Sequence, residues 1–165
     1  MSATAAPESS CCTEMLGQEH SKQIIENFLG VWHGDYSLTN KTFDPNVILV
    51  SDRMPTGKGS EPLRIEGKNA MVTFVKRCRE GWKEYTFELL QFISDQNKIS
   101  IQWKMNGITG ENMRIKTPLK PDSKVSFKGI DFIILDECAG LIKEIYMAQD
   151  LITFFHELEL GHVSV

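Results

Sequence analysis

Two runs decide the fold. The first is Tyr85-Thr86-Phe87-Glu88-Leu89-Leu90-Gln91-Phe92-Ile93. After Asp95-Gln96-Asn97 comes the second, Ile99-Ser100-Ile101-Gln102-Trp103-Lys104-Met105. In both, side-chain character alternates with a period of two. Tyr85, Phe87 and Leu89 share one face of the first run, and Ile99, Ile101, Trp103 and Met105 share one face of the second. Long alternating runs joined by a short polar turn predict an antiparallel hairpin. The pattern continues downstream with a third strand over 124–136, a turn at Asp136-Glu137-Cys138-Ala139-Gly140, and a fourth strand over 141–149. A polar connection over 110–122, with Pro118 and Pro121, separates the hairpin from these two strands.

Upstream of the hairpin the period is 3.6. Ile24, Ile25, Phe28, Leu29 and Trp32 form an apolar stripe that predicts a helix over 19–33, ended by Gly34 and Asp35. Ala70, Met71, Phe74, Val75 and Cys78 form a second stripe, within a helix over 67–81 that Gly81 stops. Between the two helices, 37–46 reads as a short helix and a turn, and Val47-Ile48-Leu49-Val50 as a short buried strand ending at Ser51, Asp52 and Arg53. The segment 54–66, punctuated by Pro55, Gly57, Gly59 and Pro62, reads as loop. Leu151, Phe154, Phe155 and Leu158 predict a closing helix over 150–160. Helices followed by a meander make the fold class α+β. The expected form is a cone-shaped, curved antiparallel sheet with the N-terminal helices packed on its concave face.

The chain has 165 residues, 41% of them hydrophobic and 24% charged, with a net charge of -4. That size suits one domain, which buries roughly two-thirds of its unfolded surface. The expected division is a disordered tail over 1–17, a folded domain over 18–160 and a C-terminal tail over 161–165. The mild acidity gives no electrostatic reason to bind nucleic acid, and no apolar run is long enough to span a membrane. The start of the chain lacks the pattern of a secretory signal, so a cytoplasmic location is expected. Cys11, Cys12, Cys78 and Cys138 show neither zinc nor redox-motif spacing, and free thiols are expected. His20, His33, His156 and His162 do not group with other ligands at metal spacing. Thr56-Gly57-Lys58-Gly59 lacks the rest of a phosphate loop.

Several pieces, taken in order, resemble a known family. They are Lys124-Val125-Ser126-Phe127-Lys128-Gly129-Ile130-Asp131-Phe132-Ile133, then Gly140-Leu141-Ile142-Lys143-Glu144-Ile145-Tyr146, then Asp150-Leu151. With Phe28 and Trp32 upstream, Phe74 in the second helix, and Ile101-Gln102-Trp103 leading to Gly107 and Gly110, they resemble the SnoaL-like polyketide cyclase group of the nuclear transport factor 2-like superfamily. The resemblance covers roughly residues 19–160. It implies a cystatin-like curved barrel with a deep apolar pocket, commonly dimeric, using no cofactor and no metal. It also implies a small apolar or carbonyl-containing ligand.

By the same resemblance Asp150 stands where the cyclases place their acid/base aspartate. Read from the residues alone, Asp150 is equally suited to cap the helix that follows, and both roles can hold at once. Asp52, at the end of the first strand, and Tyr36, after the first helix, are the supporting catalytic candidates. Trp32, Trp103, Met105 and Tyr146 are the expected pocket lining. Relatives with His-Thr-Gly after the central strand are matched here by Ile108-Thr109-Gly110, so one potential proton carrier is missing. The function expected is that of a cofactor-independent cyclase or isomerase. The alternative is a non-enzymatic dimeric ligand-binding or adaptor module on the same fold.

Overall fold

The computed structural model describes residues 17–56 and 59–161, without the side chains of 52–61. Apart from Gly17 and Gly161, the expected tails lie outside the described residues, and Cys11 and Cys12 lie there with them. Helix α1 (Gln18–His33) is followed by a 3-10 turn (Tyr36–Leu38), α2 (Thr39–Thr42), β1 (Phe43–Thr56), β2 (Gly59–Glu66) and α3 (Lys68–Arg79). Then come β3 (Trp82–Asp95), β4 (Lys98–Thr109), β5 (Lys124–Leu135), β6 (Ile142–Gln149) and α4 (Leu151–Glu157).

The six strands form one open, curved sheet in the order β2-β1-β6-β5-β4-β3. All neighbours are antiparallel except β1 and β6, which run parallel with Ile48 opposite Glu144 and Val50 opposite Tyr146. The hairpin read from sequence is β3–β4, closed by Gln96 and Asn97 with Asp95 opposite Lys98. Gln96 takes a left-handed conformation at φ 52.

Alternation decides which face packs. On β4 the buried set is Ile99, Ile101, Trp103 and Met105, and on β5 it is Val125, Phe127, Asp131, Ile133 and Leu135. Helix α1 lays Ile24, Ile25, Phe28 and Trp32 against this concave face. Gly34 caps α1 at φ 103, where a side chain is disfavoured, and its N–H returns to the Val31 carbonyl. Two side chains, His33 and Arg79, tie α1 and α3 to each other and to the hairpin. The Phe87 backbone N–H donates to His33 Nε2 at 2.9 Å, and Arg79 Nη1 donates to the carbonyls of Trp32 and Tyr85, both at 2.6 Å.

Two expectations need correction here. The segment 54–66 is strand for most of its length: β1 runs to Thr56 and β2 occupies Gly59–Glu66. Strand β2 is a sheet edge paired only with β1, and an edge accommodates Pro62 where a central strand would not. Strand β1 also begins earlier than Val47, at Phe43. The second correction concerns the cysteines. Cys138 is exposed in the β5–β6 turn and is disulfide-bonded, whereas Cys78 is a free thiol as expected.

Candidate functional site

The concave face does not close completely over α1 and α3. An outer chamber of about 540 Å³ opens between α3, β2, the 110–123 connection and α4. Apolar groups make most of its wall, among them Ile65, Phe74, Trp82, Ile115, Phe127 and Phe154. Behind it lies a recess of about 40 Å³, walled by Phe28, Trp32, Phe87 and Trp103. Phe74, Cys78, Tyr85 and Gln149 border both spaces, so the recess and the chamber are adjacent and share a wall.

The walls are set by close packing of aromatic rings. Trp103 meets Phe87 and Phe127 edge-to-face, at centroid distances of 5.1 and 5.5 Å, and Trp32 meets Phe74 at 6.0 Å. Its indole also lies over Gly129 of β5, where no side chain intervenes. A Cβ built there would fall 2.5 Å from Trp103 Cη2.

At the floor of the recess the apolar pattern of β5 is broken. Asp131 takes the place of an aliphatic residue in the inward-facing set and is 1% exposed. Across the β5–β6 ladder it sits opposite Met147 and diagonal to Gln149, which also lines the recess. Gln149 Nε2 donates to Ser51 Oγ at 3.2 Å, so Ser51, Gln149 and Asp131 place polar atoms along three adjacent strands. Burial pushes the Tyr85 phenol far above its ordinary range. Cys78 reinforces that shift and the Arg79 charge opposes it. Burial likewise pushes the Cys78 thiol up to about 11, against the opposing charges of Arg114 and Arg77. Both groups are therefore neutral at physiological pH.

The residues expected at the site separate into two groups. Trp32 and Trp103 wall the recess. The others lie elsewhere. Met105 is fully buried in the core and does not line the cavity. Tyr146 is 45% exposed on the outer face, where its hydroxyl donates to Glu144 Oε2 at 2.7 Å. Asp150 is exposed and outside the cavity lining; Thr153 N–H and Oγ1 donate to its carboxylate at 3.0 and 2.7 Å. The Thr153 hydroxyl and then its backbone N–H hold the Asp150 carboxyl below the usual carboxylate range. The structure thus supplies the capping role for Asp150.

The reason lies in β6. Its inward-facing residues beyond Ile142 are the odd ones, Ile145, Met147 and Gln149, because the register with β5 shifts between Ile134 and Leu135. The even face, which carries Tyr146 and leads to Asp150, points away from α1. Tyr36 lies on the 3-10 turn with Lys76 Nζ 4.9 Å from its ring centroid, apart from the cavity. The side chain of Asp52 lies outside the described residues. Ile108 sits on the outer side of β4, so a histidine at that position would not face the cavity.

Asp131 and Gln149 were missed from sequence. The available signal was a carboxylate in phase with Val125, Phe127 and Ile133, on a strand whose other in-phase residues are apolar or glycine. Among the described residues no cluster of three or more histidine, cysteine or acidic side chains could hold a metal ion. Among them, too, no helix is long and apolar enough to cross a membrane.

Comparisons with known proteins agree with this architecture. No curated protein matches the chain significantly. Among solved structures, TsrD from Streptomyces laurentii superposes with a TM-score of 0.65 at 18% identity, covering 87% of this chain and 97% of that one. A protein from Jannaschia sp. CCS1 described as a SnoaL-like polyketide cyclase gives 0.66 at 13% identity, covering 96% of this chain and 100% of that one. IdmH from Streptomyces antibioticus, described as a polyketide cyclase, gives 0.68 at 10% identity over 84% and 97%. At such identities these matches show the fold alone. The sequence model of the SnoaL-like domain matches residues 25–145. The chain therefore belongs to the SnoaL-like family, within the nuclear transport factor 2-like group.

Proposed function

We propose that this protein is a cofactor-independent enzyme of the cyclase or isomerase type, acting on a small, largely apolar carbonyl compound. The observation that carries the reading is Asp131, a buried carboxyl lining a largely apolar and aromatic recess next to an open chamber. The chamber beside it, at about 540 Å³, is in the range that holds a small organic molecule. A carboxyl shielded from bulk water there can take a proton from a carbon next to a bound carbonyl and return it elsewhere. Those are the steps of a double-bond shift and of the opening stage of an aldol closure. Gln149, whose side-chain amide donates to Ser51 Oγ and Met147 Sδ, adds a neutral polar group to the same lining. Asp131 replaces Asp150 as the acid/base in this proposal, because Asp150 is engaged at the exposed start of α4.

The proposal includes a homodimer. The outer sheet face exposes Ile130 (48%), Phe132 (41%) and Tyr146 (45%) around a shallow groove. A second copy would remove these side chains from water. A cytoplasmic location remains part of the same proposal.

The test follows α-proton exchange of a bicyclic enone in deuterated water by NMR, using wild type, Asp131→Asn and Asp150→Asn. The expected result is exchange above the buffer rate with wild type and with Asp150→Asn. Asp131→Asn should lose about 100-fold or more, the usual contribution of a general base. Exchange that survives Asp131→Asn, or that disappears in Asp150→Asn with the fold intact, would reject the assignment.

A further inference from the structure

Four arginines have described side chains, and two of them have structural tasks. Arg79 holds the carbonyls of Trp32 and Tyr85, and Arg64 pairs with Glu66 at 2.6 Å. The other two, Arg77 of α3 and Arg114 of the β4–β5 connection, both line the outer chamber. Among the described residues neither makes a hydrogen bond or an ion pair. Each nevertheless acts electrostatically on the Cys78 thiol, which borders the same chamber. Two guanidiniums from separate elements thus face one cavity in a chain whose net charge is -4.

We propose that Arg77 and Arg114 form a carboxylate-binding mouth, and that the ligand is an apolar monocarboxylic acid whose body fills the chamber behind them. The proposal deepens the reading given above and rests on it for the ligand's carbonyl. Guanidinium groups present a planar fork that matches the two oxygens of a carboxylate. Glu80 is the one carboxylate lining the outer chamber among the described residues, and it pairs with neither arginine. The mouth therefore carries a net single positive charge, which balances a monoanion and leaves a phosphate dianion in excess beside Glu80. The wall behind the charges is Phe74, Trp82, Phe127 and Phe154, surface suited to rings or chains and not to a second charge. A ligand held by its carboxylate at this end presents its far end to the recess that holds Asp131.

The test is isothermal titration of the full chain with 2-naphthylacetate and its neutral counterpart 2-naphthylacetamide, with 2-naphthyl phosphate as a third probe. The acetate should bind about tenfold or more tightly than the amide, as a charge-assisted pair supplies. Arg77→Gln/Arg114→Gln should remove that preference and leave amide affinity within about twofold. Glu80→Gln should tighten the acetate severalfold. All three positions are exposed, and unchanged far-UV circular dichroism would show that the variants remain folded. Equal affinity for the acetate and the amide, no binding of either, a preference that survives loss of both arginines, or tighter binding of the phosphate would each overturn the proposal. Asp131→Asn should keep the acetate preference. Lost proton exchange in wild type with the preference intact would reject only the catalytic reading, and the reverse result would reject only this one.

Discussion

Replacing Gly129 by alanine should displace the cavity wall. The added Cβ would run into Trp103 Cζ2 and stand 2.5 Å from Cη2 and 2.8 Å from Cε2, so the indole must withdraw by more than about 1 Å to regain ordinary contact. It has little room to do so. Trp103 is 2% exposed and is flanked edge-on by Phe87 and Phe127, so the open direction is the small recess it borders. Overpacking of this kind costs about 1–3 kcal/mol. Gly129 has no positive φ, so alanine also removes unfolded-state freedom, which offsets roughly 0.5 kcal/mol. The net expectation is a loss of about 1.5 kcal/mol, or roughly 3–6 °C in Tm for a domain of this size. Thermal unfolding followed by far-UV circular dichroism measures it. Trp103→Phe in the same chain removes the clashing ring, so the double variant should be more stable than the sum of the single effects, with a coupling of about 1 kcal/mol. An unchanged Tm for Gly129→Ala, or strict additivity in the double variant, would refute the idea that Gly129 exists to seat this indole.

Other outcomes follow from features already described. Asp150→Ala should cost about 1 kcal/mol through loss of the α4 cap, measured by urea denaturation at pH 7. Because the folded carboxyl titrates below its unfolded counterpart, that contribution is present above the unfolded pKa and disappears as pH falls through the folded value, so wild type and variant should converge in acid. Cys78, with its thiol near 11 and an ordinary value of 9.0, should react with iodoacetamide at pH 7.5 about 100-fold more slowly than a free cysteine, measured by peptide mass spectrometry. Phe132→Lys on the outer face should convert a dimer to a monomer in light scattering while leaving the cavity intact.

The parts of the fold legible in the sequence are those whose period is long and single. The 3.6 pattern of α1 and the twofold patterns of β3 and β4 run for seven to nine residues without a break, and these elements appear where the patterns place them. Strand β2 was hidden because Gly59 and Pro62 carry loop chemistry. Only its position at an edge, which depends on β1, makes a proline acceptable there. The site was half legible for a related reason. Alternation along β6 shows two faces without saying which one is inside, and the register shift that settles it belongs to the pairing with β5. The resemblance puts Asp150 and Tyr146 at the cavity, yet both follow the outward, even face of β6, while Gln149 on the odd face is the residue that reaches it. Asp131 lay in plain view, but a single acid within an apolar strand acquires meaning only when the recess in front of it is known.

The parallel contact of β1 with β6 governs how the chain can assemble. Ile48 is synthesised 96 residues before its neighbour Glu144, an interval on the order of 5–20 s at ordinary translation rates. Until β6 emerges, β1–β2 and β3–β4–β5 have no strand to join them, since the last strand made is inside the sheet and not at its edge. Closure of such a distant pair is slow by nature. A chain ending at Gly140 would therefore not be a slightly shortened domain but two unjoined sheet fragments, each with a raw edge that in the complete protein is never exposed.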